Sequence, residues 1–149
     1  MFVNEPAELV ERILKVVPLD VLQFHGDESA DYCQQFDRPY MKALRMAPDM
    51  DPVSAASPFQ TARAVLLDSW EQGVPGGTGK TFDWQRAGSF ARSRLVLAGG
   101  LDPENVGEAI SLLKPAGVDV SGGVESTPGV KDPQRVAEFI AAVKAADST

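Results

Sequence analysis

The chain has 149 residues, 44% of them hydrophobic and 23% charged, with a formal net charge of −7. That is one domain's worth of ordinary globular composition, long enough to bury a core. The acidic balance excludes nucleic acid as the main partner, because a phosphate backbone needs clustered Lys and Arg, but it leaves room for a small phosphate ester held by backbone N–H groups.

The start, MFVNEPAELVERI, lacks the basic segment and apolar core of a signal peptide. Phe2 and Val3 read as the tail of a strand, and Asn4 as the cap of a helix with Pro6 in its first turn. Leu9, Val10, Ile13, Leu14 and Val17 recur at helical spacing. A strand stub at the very start suggests a chain entered in the middle of its fold. Val21 to Phe24 is the next strand, running into His25, Gly26 and Asp27. His25 is the only histidine, so a multi-histidine metal site is excluded and no metal is expected. Ser29 to Phe36 reads as a short helix carrying Cys33, the only cysteine. A lone cysteine rules out a disulfide framework and points to a reducing compartment. No apolar run is long enough to span a bilayer, so a cytoplasmic protein with no membrane partner is expected.

Tyr40 to Leu44 is a third strand, closing on Arg45 and Met46, and Pro48, Asp51, Pro52 and Pro58 bracket a weak helical turn. Then comes the stretch that organises the chain, Ala64 to Trp84. A buried apolar run, Ala64 to Leu67, ends on Asp68, followed by a loop with Gly73, Gly76, Gly77 and Gly79. A carboxylate at the C-terminal end of a strand apolar on both faces is where parallel α/β enzymes keep their chemistry. The glycines, Gly77 among them, let backbone approach a ligand closely. GGTGKT resembles the end of a P-loop, but that motif needs a glycine five residues before Gly79, where this chain has Val74.

Trp84 to Ala91 reads as a helix with Trp84 in the core, and Leu95 to Ala98 as a strand ending in Gly99 and Gly100. Pro103 opens a helix with Val106, Ala109, Ile110, Leu112 and Leu113 inward, stopped by Pro115 and Gly117. Val118 to Val120 is the last strand, leading into Ser121, Gly122 and Gly123. Pro133 opens a final helix whose stripe is Val136, Phe139, Ile140 and Val143. Strands alternating with helices mean an α/β architecture, either a barrel or a doubly wound sheet. The glycine pairs after the last two strands favour the barrel, in which the loops after strands seven and eight hold phosphate.

Several motifs, HGDE (His25 to Glu28), KALR (Lys42 to Arg45), LLD (Leu66 to Asp68), GGTGKTFDW (Gly76 to Trp84), LAGGLDPENV (Leu97 to Val106) and GVDVSGGVES followed by PGVKD, together resemble the phosphoribosylanthranilate isomerase family of tryptophan biosynthesis. The resemblance implies an eight-stranded βα barrel of the TIM type. It also implies an aldose–ketose (Amadori) isomerisation of a sugar-phosphate substrate with no cofactor. Asp68 is then the general acid that opens the ring, and His25, Arg45, Gly77, Gly99, Gly100, Ser121, Gly122 and Gly123 line the substrate. The family more often has two serines where this chain has Ser121 and Gly122. The general base is a cysteine in a K-I-C-G segment on the first strand, and no such segment occurs in this sequence. Cys33, on a helix, does not replace it. The expectation is therefore a partial barrel of about six βα units in a single domain, with open edges that favour self-association and negligible turnover.

Simpler roles compete at each position: Asp68 as a loop cap, His25 as a structural histidine, Arg45 in a surface ion pair, and the glycines as ordinary turns. Two rival readings of the whole chain remain. One is a non-catalytic phosphate-binding or assembly fragment of such a barrel. The other is a sister enzyme such as indole glycerol phosphate synthase, whose lysine and glutamate at strand ends do not match His25, Arg45 and Asp68.

Overall fold

The computed structural model describes residues 1–70 and 81–148. Helix α1 (Ala7–Val16) is followed by strand β1 (Leu22–Phe24), α2 (Ala30–Gln34), β2 (Tyr40–Arg45), α3 (Pro52–Ala56) and β3 (Ala64–Asp68). Then come β4 (Leu95–Leu97), α4 (Val106–Leu113), β5 (Gly117–Val118), β6 (Glu125–Thr127), β7 (Val130–Lys131) and α5 (Pro133–Asp147). The first five strands form one sheet in the order β1-β2-β3-β4-β5, with every neighbouring pair parallel. Neighbours in space are neighbours in sequence, as in the wall of a βα barrel. A doubly wound sheet would reverse its strand order at a switch point.

Register sorts the side chains onto two faces, because successive residues of a strand point to opposite sides. Val65, Leu67, Leu95 and Leu97 pack outward against Val106, Ala109, Ile110 and Leu113 of α4 and Phe139 of α5. Ala43, Leu66 and Ala98 cluster together as a second, smaller core on the opposite face. Two residues beyond Ala43 and Leu66, the same face carries the register partners Arg45 and Asp68. All five residues of β3 are buried, which explains its uninterrupted apolar run. A third cluster closes the β1 end, where Phe24 stacks on Phe36 at 5.7 Å between ring centroids and meets Tyr32 edge-on, with Val10 and Cys33 buried beside them.

The strand stub exists as Phe2, paired parallel with Phe24, its N–H donating to the Gln23 carbonyl at 2.8 Å. Asn4 is not the cap of α1; that position is Pro6, with no side-chain cap bond. Asn4 instead has φ 55°, and its side-chain oxygen accepts from the Asp27 N–H at 2.7 Å. The expected helix from Trp84 to Ala91 is only a 3-10 turn over Trp84–Ala87, with Trp84 packed against the core as expected. Helix α4 begins at Val106 rather than at Pro103, and it ends on Lys114 in the left-handed conformation. The last strand of the sheet is Gly117–Val118 rather than Val118 to Val120. The antiparallel pair β6–β7 was not anticipated.

Candidate active site

A cavity of about 490 Å³ opens at the C-terminal ends of the parallel strands. Each strand end contributes to its wall: His25 after β1, Arg45 closing β2, Asp68 closing β3, Ala98, Gly99 and Gly100 after β4, and Asp119, Ser121, Gly122 and Gly123 after β5. Of the residues expected to line the substrate or act on it, all are brought together here except Gly77, which lies outside the described residues.

Asp68 is 8% exposed. Its Oδ1 accepts from the Ser69 N–H at 2.8 Å, and its Oδ2 lies 3.1 Å from His25 Nε2. On its other side, His25 Nδ1 is 3.4 Å from Gln23 Nε2. The tautomer sets the direction of both contacts: an Nε2–H donates to the Asp68 carboxylate, and a bare Nε2 accepts from the protonated acid. The loop-cap role is thus part of what Asp68 does, but its second oxygen is held toward the cavity by a histidine. Arg45 Nε is buried and makes no hydrogen bond among the described residues. A buried, unpaired guanidinium N–H is costly. It borders both this cavity and a neighbouring recess of about 280 Å³ lined by His25, Gly26, Asp27 and Trp70.

The glycine loops after β4 and β5 are fastened by side chains of other segments. Gly99 and Gly100 have φ of 81° and 65°, and Asn105 Nδ2 holds the Gly100 carbonyl at 2.9 Å. Lys131 on β7 donates to the Ser121 carbonyl and to Glu125 Oε1, both at 2.8 Å. The Lys131 ammonium, with help from the Gly129 N–H, holds the Glu125 carboxyl below the usual carboxylate range. Arg135 Nε of α5 takes the Gly123 carbonyl at 3.0 Å. The hairpin β6–β7 therefore braces the loop after β5.

Sequence reasoning missed Asp119 and Gln23. Gln23 on β1 and Asp119 directly after β5 both line the cavity, and the signal was available: Gln23 stands two positions before His25, and Asp119 two beyond Gly117, where alternation returns a side chain to the same face. Cys33 is fully buried away from the cavity. Burial pushes its thiol up to about 11, so it is no thiolate base near neutrality.

A parallel sheet in chain order, with its cavity at the strand C-termini, defines a TIM-barrel-like α/β protein. The family model described as N-(5'-phosphoribosyl)anthranilate (PRA) isomerase matches residues 1–142, and the chain belongs to that family. It is 55% identical over 140 residues to N-(5'-phosphoribosyl)anthranilate isomerase of Cellvibrio japonicus (strain Ueda107), covering 94% of this chain and 65% of that relative. The chain thus spans about two thirds of the relative's length. Among solved structures, phosphoribosyl anthranilate isomerase from Thermotoga maritima superposes with a TM-score of 0.84 at 37% identity, covering 97% of this chain and 71% of that one. A phosphoribosyl anthranilate isomerase in complex with reduced 1-(o-carboxyphenylamino)-1-deoxyribulose 5-phosphate gives 0.80 at 34% identity, covering 97% and 69%.

Proposed function

We propose that this chain carries the acid and substrate-holding side of a phosphoribosylanthranilate isomerase of tryptophan biosynthesis. The observation that carries the reading is a single cavity lined by His25, Arg45 and Asp68 at the ends of β1 to β3 and by Gly99, Gly100 and Ser121 to Gly123 after β4 and β5. Asp68 gives its proton to the furanose ring oxygen; the bond from that oxygen to C1 breaks as the anilino nitrogen's lone pair forms the iminium. A base then removes the C2 proton, and the resulting enolamine tautomerises to the ketone. The unpaired Arg45 N–H meets the anthranilate carboxylate. Backbone N–H groups of the two glycine loops hold the phosphate. The base belongs to a K-I-C-G segment that is not among the 149 residues, and the chain supplies about six βα units of one barrel domain.

Calorimetric titration with the reduced product analogue tests this. Saturable binding is expected, weakened by Arg45→Met and by Gly122→Asp, whose carboxylate enters open space and repels the phosphate. Asp68→Asn should leave binding largely intact, since its part comes at ring opening. In a chain joined to a K-I-C-G strand, turnover is expected and Asp68→Asn should lower it about 100-fold or more. Absence of binding, or binding indifferent to Arg45 and Gly122, would contradict the proposal. Binding by the 149-residue chain without turnover also suits the fragment reading, and the joined chain separates the two.

A further inference from the structure

We propose that the buried ion pair between Lys42 and Glu28 positions His25 against Asp68, so that two residues outside the cavity set the geometry within it. Lys42 sits on the outward-facing side of β2 and is 2% exposed. Its Nζ donates to Glu28 Oε2 at 2.8 Å and to the Gly26 carbonyl. Glu28 accepts from the Gly26 N–H at 2.9 Å and from the Asn4 N–H at 2.8 Å. Both main-chain polar groups of Gly26, the residue directly after His25, are therefore tied to one buried pair.

Several observations separate this from mere stabilisation. A buried ion pair is a poor source of stability, because desolvating two charges offsets most of their attraction and apolar residues of similar volume commonly serve as well. What an apolar pair would not do is hold a carbonyl and an N–H of one residue at fixed positions. The turn has no slack on its other side either, since a Cβ at Gly26 would lie 2.8 Å from the Asn4 main-chain nitrogen. Among the described residues, the His25 ring has only the long 3.4 Å contact to Gln23 besides its 3.1 Å contact to Asp68. The His25 N–H is held by the Phe2 carbonyl at 2.9 Å, and the pair fixes the chain on the other side of His25, so the two together set where Nε2 meets Asp68. Neither Lys42 nor Glu28 lines the cavity, so their effect on it is indirect, by way of the turn that follows His25.

The functional half of this inference rests on the role proposed for Asp68, but the contact itself can be read without ligand. His25 is the only histidine, so the imidazole ¹H–¹⁵N spectrum of the chain in dilute solution reports on one residue. Asp68→Asn is expected to shift that signal in the native background and in Lys42→Arg, which keeps the charge and the donor. In a folded Lys42→Met, Glu28→Leu double variant the shift on Asp68→Asn is expected to vanish. An undiminished shift there overturns the inference. Should the double variant not fold, Glu28→Gln decides: a reduced shift supports positioning and an unchanged one overturns it. Loss of the shift with unaltered affinity for the reduced product analogue supports positioning and agrees with a part for Asp68 at ring opening, whereas a native chain that shows the shift but binds no analogue counts against the proposed function and not against positioning.

Discussion

Gly122 and Gly123 stand side by side in the same loop, yet only one of them is sterically obligatory. A Cβ on Gly123 would strike the Leu101 carbonyl oxygen, whereas one on Gly122 meets nothing within 4 Å. Gly99 is constrained twice over, by φ of 81° and by the Ser69 N–H where its Cβ would fall. Gly123→Ala is therefore expected to cost about 1–3 kcal/mol in urea unfolding, while Gly122→Ala stays within about 0.5 kcal/mol. Equal effects would mean the loop is packed differently. The open space at Gly122 also accommodates the serine that the family more often carries there. At this scale the sequence revealed those residues whose type is itself informative, such as an aspartate after an apolar run or paired glycines at strand ends. Asp119 and Gln23 went unseen because neither residue type is informative by itself, and only the face each shares with its neighbours two positions away gives it meaning.

Among the elements, the helices α1, α4 and α5 and the all-buried β3 were legible from their apolar patterns, although Leu112 and Ile140, expected on the inward stripes of α4 and α5, are both exposed. The hairpin β6–β7 was not. Its strands are two and three residues long and mostly exposed, so no alternation marks them. The segment after Trp84 reads as helix by composition, but Asp83 accepts from the Gln85 N–H and closes a tight turn. Arg86 then reaches across to the carbonyls of Ala47 and Met50, and tertiary contacts decide its conformation. The link between β2 and the turn after β1 leads to a prediction about pH. Burial alone would raise the Glu28 carboxyl; hydrogen bonds from Lys42 and the Asn4 N–H outweigh it and hold the group below its ordinary 4.5. The unfolded chain therefore takes up this proton more readily. The pair's contribution is present above about 4.5 and is lost as pH falls through the lower folded value. Glu28→Gln strands the Lys42 charge and should cost about 3–5 kcal/mol at neutral pH, with a flatter dependence on acid than the native chain in denaturant titrations. A native-like acid profile in that variant would contradict the assignment.

For the molecule as a whole, the sequence pointed to a barrel over a doubly wound sheet, and the parallel sheet in chain order agrees with that choice. The described sheet has two outer strands, β1 with only Phe2 bridged beside it and the two-residue β5. Met1 and Val3 are exposed at the cavity's edge, at 76% and 43%. Unpaired parallel edges beside apolar surface recruit other strands, so sedimentation of the 149-residue chain should show mass rising with concentration. A strictly monomeric chain at high concentration would contradict that expectation. The central claim is that Asp68 faces a sugar phosphate whose phosphate is gripped by the loops after β4 and β5. A crystal structure of this chain with the reduced product analogue tests it most directly. The account predicts the phosphate on N–H groups of Gly99, Gly100 and Ser121 to Gly123, with the ribulose chain running toward the Asp68 carboxylate. A phosphate bound elsewhere, or a sugar lying away from Asp68, would contradict it.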